Sequence, residues 1–131
     1  MKGRLYIKKA KGKGFGVFCT RAISKEEVID ACPLLVLPAE DRDWLLASYL
    51  VDYLFQYNRE EGTIALVLGF GSMYNHATHS NAAYALDKGN TLMIFFALED
   101  IPAGREICIN YVGERGKDGR EWFEFRKIPY V

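Results

Sequence analysis

Gly71-Ser72-Met73-Tyr74-Asn75-His76, followed by Asn81, carries the most information in this chain. It sets two amides and an imidazole just after the apolar run at residues 64–68, and such groups are costly to bury unless something pairs with them. Two other segments are of the same kind. Gly14-Phe15-Gly16 lies near the start, and Ile107-Cys108-Ile109-Asn110-Tyr111 ends an apolar stretch on a phenol. Three separated segments of this type point to one composite site.

Working outward, Arg4 to Lys8 and Gly16 to Thr20 read as short strands around a glycine-rich turn. Residues 28–37 form a longer β-prone segment closed by Pro38. The acids of residues 39–43 suit a helix N-terminus, and residues 44–51 continue as a short helix that Tyr53 follows. Residues 52–57 and 63–69 then read as strands. A hairpin is expected from 82–86 and 91–98 across Asp87-Lys88-Gly89-Asn90. Leu92-Met93-Ile94-Phe95-Phe96 is so uniformly apolar that burial on both faces is expected. Residues 106–111 form the last strand of the core, and 118–127 read as a helix carrying Trp122, Phe123 and Phe125. Ile23 to Ile29 echoes Ile101 to Ile107, which indicates two similar turn-to-strand corners. The class is mostly β with minor α, with no βαβ alternation.

A chain of 131 residues, 50% apolar, supports one domain with one core. Formal charge balances at 17 basic and 17 acidic residues, yet it is partitioned. Residues 1–25 hold eight bases and no acid, whereas residues 26–100 hold twelve acids against Arg42, Arg59 and Lys88. An acidic middle attracts a basic, lysine-rich peptide and repels nucleic acid, although a plain solvated surface would read the same way. The basic head lacks the alternating aromatics of a base-stacking platform. Cys19, Cys32 and Cys108 are odd in number and sit in apolar contexts, which suits a reducing compartment; the cytoplasm is expected. No apolar run reaches spanning length. His76 and His79 alone make a poor metal site, so no metal is expected.

Taken singly, each motif has a plain structural reading. Gly14 and Gly16 permit positive φ and close backbone approach, but glycine punctuates ordinary turns as well. Asn75 and His76 can read a ligand's amine or ring, or can satisfy loop backbone. Tyr53, Tyr74 and Tyr111 offer phenols on apolar walls, or are core residues.

In combination, Gly14-Phe15-Gly16-Val17-Phe18, then Tyr74-Asn75-His76 with Asn81, then Ile101-Pro102-Ala103-Gly104 leading to Glu106-Ile107-Cys108-Ile109-Asn110-Tyr111 resemble the ordered motifs of SET-domain protein lysine methyltransferases. The resemblance covers about residues 4 to 112 and extends to Asp52-Tyr53-Leu54-Phe55, as in compact stand-alone members of viral and bacterial type. It implies one domain over residues 1–131, with a core at 1–112 of small curved sheets around a knot-like crossing. Residues 113–131 would cover the cofactor. The implied cofactor is S-adenosylmethionine, held by Lys13, Gly14, Phe15, Gly16, Asn75, His76, Tyr111 and Trp122. Tyr111 would be catalytic, Tyr53 and Tyr74 would line the substrate channel, and the substrate would be a lysine in a protein or basic peptide, histone-like in character. Flanking zinc-binding cysteine clusters are lacking, Ala77 and Thr78 replace the usual serine and cysteine, and no proline precedes Asn81. Ile109 occupies a position where some relatives carry an aromatic residue that influences the number of methyls added. By analogy with compact relatives, the resemblance adds a homodimer through the aromatic tail as an expectation. A non-catalytic module that binds lysine tails is the alternative function.

Methyl transfer from a sulfonium needs a neutral lysine amine, and an apolar channel beside a cation lowers that amine's pKa through desolvation and like-charge repulsion. The rate is therefore expected to rise from neutral to alkaline pH. A flat profile over that range would contradict the chemistry.

Overall fold

The computed structural model describes residues 4–10, 12, 14–58, 60–89 and 91–111. The proposed covering helix, Trp122 and Lys13 lie outside them. Among the described residues, nine strands form two sheets around one main core. Strands β1 (Leu5–Ala10), β2 (Gly14–Cys19), β6 (Asn75–His76) and β9 (Glu106–Ile109) form the first, in the order β1-β2-β9-β6. The second has the order β4-β5-β3-β8-β7, from β3 (Val28–Leu37), β4 (Leu54–Asn58), β5 (Thr63–Val67), β7 (Ala82–Leu86) and β8 (Leu92–Ala97). Among the described residues the one α-helix is α1 (Arg42–Leu46), with 3-10 turns at Ala39–Asp41, Tyr49–Tyr53 and Gly71–Met73.

Strand β3 spans the residues its composition indicates, and its ten residues serve two partners. Val28 to Pro33 pair with β8, and Leu34 to Leu37 pair with β5. Pro33 marks the hand-over. It has no N–H to give to a ladder, so a switch of partner is a position where proline costs little. Its carbonyl accepts from the Leu68 N–H at 2.9 Å, and the Leu34 N–H donates to the Thr91 carbonyl at 3.2 Å.

The two echoing corners meet each other. Ile23 and Ile101 exchange backbone hydrogen bonds at 2.8 Å in both directions, and both side chains are buried. Their similar sequences serve similar jobs, each turning the chain into a strand at the seam of the two sheets. Nearby, the Arg4 guanidinium meets the Glu27 carboxylate and donates to the carbonyls of Val28 and Ile29, tying the N-terminal sheet to the start of β3. The Glu27 carboxyl is held below the usual carboxylate range, first by the Ser24 N–H it accepts and then by Arg4.

One expectation is corrected. Strand β8 is not buried on both faces: Met93, Phe95 and Ala97 are buried while Leu92, Ile94 and Phe96 are only half covered. The pleat sends successive side chains to opposite faces, and one face meets the core cluster while the other is only partly covered. The helix expected at 44–51 is also shorter, since α1 stops at Leu46 and a 3-10 turn follows. The final strand ends at Ile109, which leaves Asn110 and Tyr111 outside the ladder.

Gly71 shows how closely the core is packed. A Cβ there would collide with a γ-methyl of Val67 and lie 2.8 Å from the Val67 Cβ and 3.3 Å from the Cys32 Cβ. The β-carbons of Val67 and Cys32 sit on buried strand backbone and cannot swing aside. Gly71→Ala is expected to destabilise the fold by about 1–3 kcal/mol through overpacking, read as a lowered urea midpoint. An unchanged midpoint would show that the Gly71–Met73 turn yields easily.

Candidate functional site

The three segments converge. Asn75 pairs in parallel with Cys108, and His76 with Ile109, so the mid-chain motif lies directly beside the last strand. The Ala77 N–H extends this contact to the Ile109 carbonyl at 2.9 Å. On the other side of β9, Val17 and Phe18 of β2 pair with Ile107 and Glu106. The early glycine segment and the Asn75-His76 pair thus flank one short strand.

Tyr111 is held at both ends. Its N–H donates to Nδ1 of His76 at 3.1 Å, so that nitrogen carries no proton in this contact. Its hydroxyl donates to the Tyr74 carbonyl at 3.0 Å, and its own carbonyl accepts from the Tyr84 hydroxyl at 3.0 Å. The rings of His76 and Tyr111 pack with centroids 5.1 Å apart. His76 is buried, Tyr111 half-buried. The phenol oxygen and a main-chain carbonyl therefore form a fixed pair of oxygens at one end of the seam.

Asn75 closes the other end. Its amide nitrogen donates to Oε2 of Glu106 at 2.6 Å and to the Phe15 carbonyl at 3.3 Å. Gly16 is buried against this junction, where a Cβ would run into the Glu106 carboxylate and lie 2.7 Å from the Asn75 amide nitrogen. Glycine at 16 is thus required by close approach. Gly14 is required by its φ of 77° as β2 begins. Phe15 between them is 60% exposed and presents a ring to solvent.

Tyr74 departs from expectation. Its ring is 1% exposed and packs on Phe95 with centroids 4.5 Å apart, so it is core and not a channel wall. Its hydroxyl donates to Oδ2 of Asp30 at 3.4 Å, and the Cys32 thiol reaches the same oxygen at 3.1 Å. Burial, with Asp30 beside them, pushes the Tyr74 phenol up and the Cys32 thiol up to about 12. Both groups stay protonated near neutrality. What Tyr74 offers the site is its carbonyl. Tyr53 ends a 3-10 turn and is half-buried; its carbonyl accepts from the Ser72 hydroxyl at 2.9 Å, two residues before Tyr74. Ser72 also lies 2.8 Å from the Val67 carbonyl and accepts the Val67 N–H at 3.2 Å. Asp30, Tyr84 and Glu106 carry no role in the sequence reading, although Glu106 stands inside the last motif.

Asn81 acts as a latch on β9. Its amide nitrogen donates to the Glu106 carbonyl and its amide oxygen accepts the Cys108 N–H, both at 2.9 Å. Asn110 adds a bond to the Thr78 carbonyl at 3.2 Å. Among the described residues no group of three or more His, Cys, Asp or Glu side chains is placed to hold a metal.

A SET domain model matches residues 14–112. The chain is 33% identical over 107 residues to a histone-lysine N-methyltransferase of Schizosaccharomyces pombe, specific for H3 lysine-37, covering 82% of this chain and 72% of that protein. It is 36% identical over 107 residues to the protein-lysine N-trimethyltransferase SMYD5 of Gallus gallus, covering 77% of this chain but spanning only 24% of SMYD5. Among solved structures, a Plasmodium falciparum protein assigned as a histone methyltransferase superposes with a TM-score of 0.69 at 33% identity, over 85% of this chain and 95% of that one. A ctPRC2 structure shares the fold, with a TM-score of 0.70 at 21% identity over 85% of this chain and 15% of that one.

Asn81→Ala is expected to cost about 1–3 kcal/mol, because the Glu106 carbonyl and the Cys108 N–H of β9 both lose their partner in a partly buried bond. Urea denaturation measures it. A loss below about 0.5 kcal/mol would mean that the latch does not hold the strand.

Proposed function

The chain belongs to the SET-domain family of protein-lysine methyltransferases, and from that premise we propose that it uses S-adenosylmethionine to methylate a lysine of a basic, histone-like protein, with Tyr111 as catalytic residue. The observation that carries this reading is the seating of Tyr111, whose backbone rests on His76 while its hydroxyl is held on the Tyr74 carbonyl. Its relatives bear names of enzymes, which gives the catalytic reading preference over a lysine-tail binding module.

The donor would supply an electrophilic methyl on a sulfonium, and the chemistry of transfer is its own. The residues present fit it. Asn75 donates to the Phe15 carbonyl, and the missing Cβ of Gly16 lets the Asn75 amide and the Glu106 carboxylate pack against that backbone, so the glycine segment and the amide form one polar junction. His76 and Tyr111 supply a ring wall next to it.

The protein's own task is placement. The Tyr111 hydroxyl and the Tyr74 carbonyl are two oxygens whose partial negative charge favours a polarised methyl or an amine N–H between the reactants. Holding the phenol at ring and hydroxyl alike limits its motion, and a displacement of about 1 Å at such a centre costs on the order of 100-fold in rate. Tyr53, carried on the turn that Ser72 ties to the Tyr74 segment, would face the lysine's alkyl stem. Twelve acids against three bases in residues 26–100 would draw a basic protein toward this segment of the domain. Lys13 and Trp122 belong to the same proposal as further contacts to the donor.

Incubation with radiolabelled S-adenosylmethionine and a panel of histones and ribosomal proteins tests the reading. Wild-type protein should label one target, and Tyr111→Phe should lower the rate by about 100-fold while peptide binding persists. Full labelling by Tyr111→Phe would remove Tyr111 from its role, and label on no protein of any kind would sink the activity.

A further inference from the structure

We propose that Glu106 is the acidic partner of the methyl donor's α-ammonium, acting together with the amide oxygen of Asn75. The inference rests on the methyl-donor reading above and goes on to say which side chains recognise the donor's amino-acid end. Four observations carry it.

The first concerns Asn75. Both hydrogens of its amide nitrogen are engaged, one by Oε2 of Glu106 at 2.6 Å and one by the Phe15 carbonyl at 3.3 Å. The amide is thereby fixed in one orientation, and the group left to meet a ligand is its oxygen, an acceptor. The second concerns Glu106 itself. An ionised carboxylate has two oxygens and about four lone-pair sites, and the Asn75 contact uses only one oxygen. The third concerns charge. Glu106 is half-buried, and among the described residues no Lys, Arg or His forms an ion pair with it. A half-buried carboxylate gains from a cationic hydrogen-bond donor, and such charge-assisted bonds are about twice as strong as neutral ones. The fourth concerns space. Gly16 lies so close to the Glu106 carboxylate and the Asn75 amide that a Cβ would overlap both, so bare backbone at that position is what lets the two side chains meet.

Together these make a corner whose free groups are all acceptors, with one formal negative charge. The ligand chemistry that complements it is a primary ammonium, which offers three donors and no acceptor. A carboxylate or phosphate would be repelled from the same corner. In S-adenosylmethionine the α-ammonium is such a group, a few bonds from the sulfonium. Tyr111 follows β9, the strand that Glu106 begins, and its hydroxyl meets the carbonyl of Tyr74, the residue before Asn75, so the methyl end is assigned to the Tyr111 end of the same ladder.

The test is calorimetric titration of the full chain with S-adenosylhomocysteine and with its des-amino analogue, in which hydrogen replaces the α-amine. Neither ligand can donate a methyl, so the readout is binding alone. Wild-type protein is expected to bind S-adenosylhomocysteine at least about tenfold more tightly than the analogue. In Glu106→Gln that preference should fall to about twofold or less, with affinity for the analogue held within about twofold. Glu106→Asp, which keeps the charge but withdraws it by one methylene, should give an intermediate preference and serves if the glutamine variant does not fold. An undiminished preference in the variants would overturn this inference alone, as would a wild-type protein that binds both ligands equally. Wild-type protein that binds neither would overturn the donor reading and this inference with it.

Discussion

A parallel ladder of two residues holds this molecule's site together: Asn75 and His76 against Cys108 and Ile109. Parallel pairing needs a long return path, and here roughly thirty residues, including the β7-β8 hairpin, lie between the partners. Closing such a loop carries an entropic cost that two backbone pairs do not offset. The compensation comes from around the ladder. Ile107 and Ile109 are fully buried, Asn81 grips β9 from the hairpin side, and Tyr111 clamps back on His76 and Tyr74. The site is therefore not an ornament on a finished core. The bonds that orient Tyr111 are among the bonds that keep β6 and β9 together.

That coupling explains the behaviour of the tyrosines. Tyr74 spends its side chain on the core, where Asp30 and Phe95 fix the ring, and lends only its carbonyl to the seam. Tyr111 does the reverse, anchoring by its backbone and ring and extending a hydroxyl to that carbonyl. A carbonyl on buried, ring-anchored backbone is a more rigid acceptor than any surface side chain. Cys32, sharing the Asp30 oxygen, remains a neutral thiol because burial and the adjacent carboxylate both oppose its ionisation. Its contribution is packing, not reactivity.

Much of this was legible in the sequence where the signal is local. The β-branched and apolar run 28–37 is a strand over the residues expected, and the hairpin around Asp87 follows from its turn residues. The ordered motifs brought the Gly14, Asn75 and Tyr111 segments into one place before any pairing was known. What failed was long-range. Nothing near Tyr74 announces that Asp30, 44 positions away, will accept its hydroxyl, so its phenol could not be told from a wall residue. Strand β8 misled for a related reason: an all-apolar strand carries no alternation in its letters, and only the partners on each face decide which side is dry. Asn75 was read correctly as a polar residue needing a partner, but that partner, Glu106, is an acid in a motif whose other residues attract more notice.

The junction of Gly16, Asn75 and Glu106 shows why residue types here are less exchangeable than their exposure suggests. Asparagine at 75 must give two hydrogens and keep an oxygen, which aspartate cannot do because it donates none. Glutamate at 106 must reach from the first residue of β9 to the Asn75 amide while its own backbone carbonyl is gripped by Asn81. Glycine at 16 must leave the space that both side chains occupy. Each residue constrains the other two, and all three lie on strands whose register is fixed elsewhere, β2 by six pairs with β1 and β6 by its ladder with β9. A change at any one of them therefore perturbs the other two and the strands that carry them, so in this small domain the corner and the fold are built from the same contacts.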